Sequence, residues 1–416
     1  MSATNHRTIT VDLGDRSYPI HIGTGLLDKA GALLRPLLPG RRVLVVIDSS
    51  VVLYHRDRLD VALQSAGFTP TYFIFPAGEE SKSLETANSC WKACAEMLID
   101  RTDAVIGFGG GVSGDLAGFV AACWMRGVRF AQIPTTLLAM VDSSVGGKTG
   151  VNSAAGKNLI GAFKQPVAVV ADPVLLKTME PRAYRAGLAE VLKYGVINDP
   201  EFLAWQEANA TALANGDPAA VAHAVAESCR IKAWYVREDE FEQGVRAHLN
   251  YGHTFGHALE RDTHYKAYHH GEAIGIGMRM AANLAQNLGL LTDSTLAARQ
   301  DALLAAYRLP LTHPSASPFA DATRLAEHCR LDKKVANGRM RFILPRRVGV
   351  VAVDEIDDLP ATATAFASAF TTTDARAAAE LARIHDDFAG ARQQALSDTI
   401  SAARQQLAAA ERKRKP

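Results

Sequence analysis

Two histidines four residues apart, His253 and His257, lie in a segment whose pattern predicts a helix. At this spacing both rings project from the same face of a helix, and His270 follows after a short irregular stretch. Neutral imidazoles are good ligands for first-row metals. Arg246 and Asn250 lie upstream on the same predicted helical face, within two turns. We therefore expect a metal, a guanidinium and an amide to meet in one pocket suited to a polyhydroxylated anion, although such histidine pairs are often structural.

An acidic and a basic residue on a second predicted helix could complete this site. Glu190 and Lys193 lie three residues apart in the segment LAEVLKYG, on one helical face. An exposed pair of this kind would be an ordinary ion pair worth about 0.2–0.5 kcal/mol. The neighbouring side chains are apolar, however, so we expect the pair to be partly enclosed. Glu190 could then join two histidines in a metal site that keeps one position open.

A glycine-rich turn at residues 109–115, GGGVSGD, separates a predicted strand from a predicted helix. Glycines there let the backbone approach a pyrophosphate, and the helix N-terminus favours its negative charge. The spacing differs from the usual dinucleotide fingerprint, so a tight strand-to-helix turn is the alternative. Asp48, at the end of an earlier strand, could accept from an adenosine ribose or cap a helix. Glu79 and Lys82 occupy a loop near the same edge of the sheet.

Residues 134–161 form a second polar, glycine-rich segment, which we interpret as a loop. It contains paired threonines, a Gly-Gly-Lys and a Lys-Asn. Lys148, Lys157 and Asn158 supply charge and hydrogen-bond donors, while the glycines let the main chain approach an anion. The two lysines could instead be solvated surface charges. Asp142 is the one acid in this set.

The order of predicted elements divides the chain into two domains and an extension. Apolar strand-like runs alternate with helical segments up to residue 170, which indicates an α/β, Rossmann-like, doubly wound parallel sheet over residues 1–178. The predicted strands cover residues 8–13, 17–21, 42–48, 71–75, 103–108, 130–133 and 167–170, and the predicted helices between them cover 84–99 and 112–122. Residues 179–370 are predicted to be mostly α-helical, at 184–194, 200–214, 219–236, 249–261, 272–288 and 295–307, with a late strand at 340–344. Residues 371–416 are predicted to form a helical or disordered C-terminal extension without a catalytic role.

Composition disfavours several classes of function. A chain of 416 residues with 48% hydrophobic and 21% charged residues is typical of a globular protein with two domains. The net charge of +1 provides no long-range field that would favour nucleic acid or a membrane. The 5 cysteines are scattered, which suggests reduced thiols, and no apolar stretch has the length of a signal peptide or a membrane span. We expect a cytoplasmic protein.

Together these motifs resemble the 3-dehydroquinate synthases, a family of sugar phosphate cyclases. The resemblance runs from about residue 8 to about residue 358 and rests on GGGVSGD, the 134–161 segment, AEVLK, RAHLNYGHTFGH and the HGE at residues 270–272, in that order. It implies an active site in the cleft between the domains, bound NAD+ and Zn2+ (Co2+ is possible), and a homodimer. It also implies that 3-deoxy-D-arabino-heptulosonate 7-phosphate is converted to 3-dehydroquinate and phosphate. The implied steps are transient oxidation, phosphate elimination, re-reduction, ring opening and aldol closure.

The resemblance also implies roles for individual residues. The implied metal ligands are Glu190, His253 and His270, so His257 becomes a catalytic group rather than a ligand. The neighbouring His269 leaves the third ligand open, although the Gly-Glu after His270 favours His270. The implied catalytic residues are Asp142, Lys148, Lys193, Asn250 and His257. The implied substrate-binding residues are Arg126 (reaching into the other subunit's site), Lys148, Asn158, Lys193, Lys232, Arg246, Asn250, His257 and Lys334, with Lys333 as an alternative to Lys334. The implied cofactor-binding residues are Asp48, Glu79, Lys82, Gly110, Gly111, Val112, Asp115, Thr135, Thr136, Asp142, Lys148, Lys157, Asn158 and Thr178.

Two other kinds of enzyme are the main alternatives. Cyclases that make valiolones or deoxy-scyllo-inosose use substrates without a carboxylate, and the retention of Lys232, Arg246 and Asn250 favours the synthase. A metal-dependent oxidoreductase of the glycerol dehydrogenase type is not expected to contain the 134–161 segment. A scaffolding protein acting through its C-terminal helices would leave the set of catalytic groups unexplained. One departure from the family pattern is Ala183, where a glutamate is usual, which puts in doubt one polar contact near the cofactor.

Overall fold

The structure, a computed structural model, describes residues 6–154, 156–315, 317–330, 339–371, 379 and 381–385. Lys333, Lys334 and most of the C-terminal extension lie outside these ranges, and so do the predictions made for them. Within the described ranges, no helix combines the length and the apolar character needed to cross a lipid bilayer.

The first half of the chain is built on a 7-stranded sheet. The strands of this half are β1 Arg7–Val11, β2 Tyr18–Ile22, β3 Arg42–Asp48, β4 Thr69–Phe75, β5 Ala104–Gly109, β6 Arg129–Pro134, β7 Lys148–Ser153, β8 Gly156–Phe163 and β9 Val169–Ala171. The sheet has the order β1-β2-β9-β6-β5-β3-β4. The pairing of β1 with β2 is antiparallel, and the other pairs in the sheet are parallel.

Helices cover both faces of this sheet, which explains why its central strands are continuous apolar runs. They are α1 Ala30–Leu34, α2 Ser49–Ser65, α3 Leu84–Glu96 and α4 Gly111–Cys123. Val45 of β3 packs in one apolar cluster with Leu59 of α2, whereas its neighbour Val46 packs in another cluster with Leu116 of α4. Full burial of each such side chain stabilises the fold by about 1.5–3 kcal/mol. The predicted Rossmann-like, doubly wound sheet is confirmed.

The strand order reverses at β3, because β4 lies on one side of it and β5 on the other. In doubly wound sheets, ligands bind beyond the carboxyl ends of the strands at this point. Asp48 is the last residue of β3 and Gly109 the last residue of β5. The Ser113 hydroxyl, in the first turn of α4, donates to the Asp48 carboxylate at 3.3 Å. The glycine-rich turn therefore opens into the crevice of the sheet.

The interpretation of residues 134–161 as a loop is wrong for the second part of that segment. β7 and β8 form an antiparallel hairpin in which Lys148 faces Phe163. Val151 of this hairpin is buried in the same apolar cluster as Leu116 of α4, so the hairpin is anchored on the first half of the chain. The preceding Ala139–Ser143 forms a π-helical turn, a conformation that is frequent at functional sites.

The second half of the chain is mostly helical, as predicted. Its helices are α5 Pro181–Ile197, α6 Pro200–Ala208, α7 Ala210–Ala214, α8 Pro218–Glu238, α9 His253–Asp262, α10 His270–Asn287, α11 Leu296–Ala306, α12 Ala322–Arg330 and α13 Leu359–Ala367. Two small sheets accompany them, an antiparallel pair of β11 Met340–Arg347 with β12 Val350–Ile356 and a parallel pair of β10 His313–Pro314 with β13 Phe370–Thr371. Acidic N-caps begin α5, α6, α8 and α13, each followed by proline in the first turn, and such caps contribute about 1 kcal/mol each.

Two helix predictions in this half are wrong. The helix expected at 200–214 is divided at Asn209 into α6 and α7. The helix expected at 249–261 begins only at His253, because Gly252 adopts a left-handed conformation with φ 79°. Arg246 and Asn250 belong to a separate 3-10 segment, Val245–Asn250. They therefore do not continue the helical face of His253, and any contact with the metal site must come from tertiary packing.

A small part of the C-terminal extension packs against the helical half. Leu381 and Ile384 are buried in an apolar cluster with Phe319. The rest of the extension falls outside the described residues, so its predicted lack of a catalytic role stays a prediction.

Candidate active site

Close packing of α5 against α10 brings two of the predicted metal ligands together. Gly271, the second residue of α10, lies so close to the carbonyl oxygen of Ala186 in α5 that a Cβ atom would overlap it. His270 begins α10, and Glu190 lies one turn beyond Ala186 on α5. Only glycine permits this approach, and the His270 imidazole is thereby placed beside the Glu190 carboxylate.

The Glu190, His253 and His270 side chains converge. Their nearest ligand atoms all lie within 4.8 Å of one another. The Nε2 atoms of His253 and His270 lie 3.5 Å and 3.8 Å from Oε1 of Glu190. Glu190 is fully buried, and its Oε1 accepts no hydrogen bond from any described residue. A buried carboxylate facing two imidazole nitrogens is the donor set that Zn2+ or Co2+ prefers, so these residues fit a divalent metal.

The alternative third ligand, His269, points elsewhere. Nε2 of His269 lies 3.8 Å from the Glu180 carboxylate. Glu180 itself caps α5 by accepting from the amides of Arg182 and Ala183, both at 2.8 Å. Glu180 therefore provides the N-cap of α5, the helix that carries Glu190. It lies three residues before Ala183, the position where the family usually has a glutamate.

A second charged group adjoins the metal triad. Lys193 is 1% exposed, forms an ion pair with Glu190, and places its Nζ 3.9 Å from Oδ1 of Asp142. Lys232, on α8, donates to both Oδ1 and the backbone carbonyl of Asp142 at 2.6 Å. Tyr194 donates to the same Oδ1 at 3.0 Å. Asp142 is thus held by groups from two helices at the π-helical turn.

The charges of Asp142 and the two lysines perturb one another's ionisation. Burial alone would raise the pKa of Asp142, but the Lys232 and Lys193 ammonium groups hold that pKa well below its usual range. Burial alone would lower the pKa of Lys193, but Glu190 and Asp142 hold it above its usual value. Both residues therefore stay charged at neutral pH. Fixed charges that are out of bulk water can orient a polar substrate strongly.

Two of the predicted substrate-binding residues, Lys148 and Asn250, meet at a carboxylate that local spacing did not indicate. Glu242 forms an ion pair with Lys148 and accepts from Nδ2 of Asn250 at 2.7 Å. Arg246 is 1% exposed and donates to the backbone carbonyls of Gly146, at 2.9 Å, and Glu240. Nε of Arg246 has no hydrogen-bond partner among the described residues. Lys148 and Glu242 are 94 positions apart, so local spacing carries no sign of their contact.

Four of the predicted cofactor-binding residues, Glu79, Lys82, Asp115 and Asn158, belong to one polar network beside α4. Lys82 is buried, pairs with Asp115 at 2.5 Å and also donates to the Asn158 side-chain oxygen. Burial raises the pKa of Asp115, and the Lys82 ammonium opposes that shift. Glu79 accepts from Nδ2 of Asn152 at 2.8 Å. These contacts tie the loop before α3 to the β7–β8 hairpin.

The turn between β5 and α4 fits a phosphate group. Gly110 is the N-cap of the 13-residue helix α4 and carries no side chain that could cap the first amides. A Cβ on Gly110 would lie 3.2 Å from Thr136, and a Cβ on Gly111 would lie 3.2 Å from Ser143. Uncapped amides at a helix N-terminus beside a backbone without side chains form an anion-binding cradle. The chain therefore fits the pyrophosphate of NAD+.

Three other predicted residues have contacts that fix their side chains. Asp48 caps α2 by accepting from the amides of Ser50 and Val51, so its alternative role as a helix cap is realised. Thr178 forms a hydrogen bond with His55 at 2.8 Å, and the Lys157 ammonium lies 3.9 Å from the centre of the Tyr265 ring. Of the others, Val112 lies in the first turn of α4, Thr135 and Thr136 follow β6, and His257 lies in α9. Arg126 follows α4 at the end opposite to the glycine-rich turn.

Two further residues near the site were missed. Tyr194 directly follows Lys193, but its apolar context predicts only a core position. Glu260 lies on α9 with both carboxylate oxygens 3.3 Å from Nδ1 of His270. The sequence shows that Glu260 lies three residues after His257. It does not show the contact with His270, which arises because α9 packs against α10.

Comparison with solved structures identifies the fold class. A 2-epi-5-epi-valiolone synthase from Streptomyces hygroscopicus subsp. jinggangensis 5008, with NAD+ and Zn2+ bound, superposes with a TM-score of 0.76 at 26% identity, covering 84% of this chain and 96% of that one. A 2-deoxy-scyllo-inosose synthase in complex with carbaglucose-6-phosphate, NAD+ and Co2+ also has a TM-score of 0.76, at 24% identity, covering 87% of this chain and 100% of that one. The fold is that of the sugar phosphate cyclases.

Sequence comparison identifies the family within this class. The sequence model of the 3-dehydroquinate synthase N-terminal part matches residues 72–186, and that of the C-terminal part matches residues 187–335. A 3-dehydroquinate synthase from Pelotomaculum thermopropionicum is 49% identical over 346 residues, 83% of this chain and 92% of the relative. Another from Laribacter hongkongensis is 49% identical over 342 residues, 82% of this chain and 93% of the relative. The chain belongs to the 3-dehydroquinate synthase family.

Proposed function

We propose that this protein is a 3-dehydroquinate synthase, which converts 3-deoxy-D-arabino-heptulosonate 7-phosphate to 3-dehydroquinate and inorganic phosphate. The proposal rests on the position of Lys193, which lies between two groups of side chains. Its ammonium pairs with the metal-site residue Glu190 and lies 3.9 Å from the carboxylate of Asp142. One pocket thereby offers a metal site, a fixed carboxylate and several cations. Relatives of that name at 49% identity over most of both chains support it.

A divalent metal and NAD+ are part of the proposal. Glu190, His253 and His270 would hold Zn2+ or Co2+, and the Gly110–Gly111 turn with α4 would hold the pyrophosphate of NAD+. The structurally similar cyclases contain NAD+ together with Zn2+ or Co2+. When bound, they would supply polarisation of the C5 oxygen and reversible hydride transfer, so that the overall reaction is redox neutral.

The charged groups around Asp142 would orient the middle of the substrate. The ionised Asp142 carboxylate would accept hydrogen bonds from ring hydroxyls. Lys193 and Lys232, both buried, would donate to oxygens that carry negative charge during the reaction. Because their positions are fixed by ion pairs before substrate arrives, little reorganisation is needed when that charge develops.

Two anionic ends of the substrate would be bound by different residues. Arg246 and Lys232 would bind the carboxylate, and Nε of Arg246, without a partner among the described residues, would be one of the donors. Lys148 and Asn250 would bind the phosphate, whose oxygens would replace Glu242 as their acceptor. Asn158 and His257 would complete that side. Lys334 or Lys333 would contribute a further cation.

The remaining cofactor contacts, the domain division and the assembly are further parts of the proposal. The NAD+ contacts would come from Asp48, Glu79, Lys82, Val112, Asp115, Thr135, Thr136, Asp142, Lys148, Lys157, Asn158 and Thr178. Residues 1–178 would form the NAD-binding domain, and residues 179–370 the metal- and substrate-binding domain.

The protein would act as a cytoplasmic homodimer in which Arg126 reaches into the site of the second subunit. Arg126 is exposed and has φ 63°, directly after Met125 at φ 48°, and two such non-glycine residues in succession are rare.

Product analysis with two substrates tests the proposal. The protein is incubated with NAD+, Zn2+ and either 3-deoxy-D-arabino-heptulosonate 7-phosphate or sedoheptulose 7-phosphate, which lacks the carboxylate. We expect 3-dehydroquinate and phosphate in equal amounts from the first and little turnover of the second. Equal or faster cyclisation of sedoheptulose 7-phosphate would instead assign the chain to the valiolone-forming cyclases.

A further inference from the structure

Glu260 occupies a position that no role in the proposed reaction uses. It lies on α9 seven residues after His253 and three after His257, on the same helical face. Its carboxylate is buried, and both oxygens lie 3.3 Å from Nδ1 of His270. Burying a carboxylate costs free energy unless a partner satisfies it. The His270 imidazole is a partner of this carboxylate, so we ask what the contact does to that histidine.

The contact determines which nitrogen of His270 can bind a metal. A carboxylate that accepts from Nδ1–H leaves the lone pair on Nε2. That Nε2 atom faces the Glu190 carboxylate at 3.8 Å. His253 is arranged in the same way, since its Nδ1 lies 3.1 Å from the carbonyl oxygen of Tyr251 and its Nε2 lies 3.5 Å from Glu190. Each imidazole thus has an oxygen acceptor on Nδ1 and turns Nε2 toward the same carboxylate.

We propose that Glu260 is the positioning residue of the metal centre, holding the His270 imidazole in the tautomer and orientation in which Nε2 binds the ion. This inference rests on the proposed function only in taking Glu190, His253 and His270 as the metal ligands. The negative charge of Glu260 also increases the basicity of the His270 imidazole, as carboxylates behind metal-bound histidines do.

A direct role for Glu260 as a ligand is the competing arrangement, because His257, Glu260 and His270 also have donor atoms within 4.8 Å of one another. An ion bound there would not contact Glu190. It would leave the fully buried Glu190 carboxylate facing two imidazoles without a cation between them. The arrangement centred on Glu190 satisfies that carboxylate, so we place Glu260 behind His270 rather than on the ion.

Zinc retention by the full-length protein tests this role. Zinc-loaded wild type, Glu260→Gln, Glu260→Ala and Glu190→Ala are each mixed with a chromogenic chelator, and the extent of zinc transfer is measured. Asp262→Asn is the matched control, because Asp262 is a second buried carboxylate of α9 that binds Arg324 at 2.8 and 2.9 Å. Its nearest histidine, His328 at 3.8 Å, is not one of the metal ligands. We expect Glu260→Gln and Glu260→Ala to weaken zinc binding about 10–100-fold, Glu190→Ala to abolish it, and Asp262→Asn to retain it.

The visible absorption of the Co2+-substituted proteins provides a second readout. In Glu260→Gln the bands should change in position or intensity, because the His270 ligand is no longer held, whereas the bands of Asp262→Asn should match those of wild type. Unchanged zinc retention in Glu260→Gln, or an equal loss in Asp262→Asn, would overturn the positioning role while leaving the metal site intact. Stoichiometric zinc in Glu190→Ala with none in Glu260→Ala would make Glu260 a ligand. A wild-type protein that binds no zinc would overturn the metal centre itself, and this inference with it.

Discussion

Replacing Lys232 by methionine would remove the strongest support of the Asp142 carboxylate. Lys232 donates to Oδ1 and to the backbone carbonyl of Asp142, both at 2.6 Å. A hydrogen bond to a charged group contributes about 1.5–3 kcal/mol, and breaking a fully buried ion pair costs about 3–5 kcal/mol. The side chain of Asp142 is 26% exposed and keeps Lys193 at 3.9 Å, so the loss should lie near the lower range. We expect the free energy of unfolding to fall by about 2–3 kcal/mol.

A double-mutant cycle separates this interaction from other effects of the substitution. Denaturant unfolding is measured for wild type, Lys232→Met, Asp142→Asn and the double variant, all without metal or NAD+, so that ligand binding does not contribute. Because the two side chains are in direct contact, their coupling energy should exceed about 1 kcal/mol. A coupling energy below about 0.5 kcal/mol, or a Lys232→Met protein as stable as wild type, would show that Lys232 does not stabilise the Asp142 carboxylate.

The pH dependence of this pair follows from the lowered pKa of Asp142. A carboxylate whose pKa is lowered by folding adds stability above its unfolded pKa, about 3.9, and loses that contribution as the pH falls through its folded value. Since Asp142 titrates well below its usual range, the stability difference between wild type and Lys232→Met should be constant from about pH 5 to pH 8. It should shrink below about pH 4. A difference that grows on acidification would contradict the assigned charge state.

Three further predictions concern the metal, the substrate carboxylate and the extension. His253→Ala should lose zinc and turnover while keeping the far-ultraviolet circular dichroism of wild type, whereas the distant His223→Ala should keep its zinc; stoichiometric zinc in the first would contradict the ligand assignment. Arg246→Met should weaken substrate binding in steady-state kinetics by about 1.5–3 kcal/mol. The control Arg237→Met, at the exposed end of α8, should bind substrate as wild type does. Equal kinetics in the two variants would exclude a contact between Arg246 and the substrate carboxylate. Deleting residues 375–416 should leave the turnover number nearly unchanged but lower solubility or change the oligomeric state, because Phe319 loses its contacts with the extension; a folded, ligand-binding truncation without turnover would refute this.

The fold could be predicted where one physical cause dominates each segment. Residues 42–48 are predicted as a strand and form β3 with the same bounds, because an unbroken apolar run between two turns is typical of a parallel sheet covered on both faces. The β7–β8 hairpin was not predicted, because its residues are glycine-rich and polar on the outside. Its contact with α4 through Val151 is tertiary and has no local pattern.

The site could be predicted only in part from spacing. The interval of four between His253 and His257 places both rings on one face of α9, but it does not say which element lies opposite. That element is α5 for His253, whose Nε2 lies 3.5 Å from Glu190, and the third imidazole comes from α10. Spacing alone left open which histidines bind the metal. The family resemblance indicated His270 as a ligand and His257 as a catalytic group. Glu242 and Glu260 were missed because their partners approach through packing of separate elements.

In the proposed reaction, one pocket oxidises and re-reduces the substrate and eliminates phosphate. To test this, phosphate release and NADH absorbance are followed together in a single reaction with 3-deoxy-D-arabino-heptulosonate 7-phosphate, Zn2+ and a catalytic amount of NAD+. We expect many phosphates to be released per NAD+, each matched by one 3-dehydroquinate, with no net accumulation of NADH. If NADH instead rises in proportion to product and turnover stops once NAD+ is consumed, the protein is a simple dehydrogenase and not a cyclase.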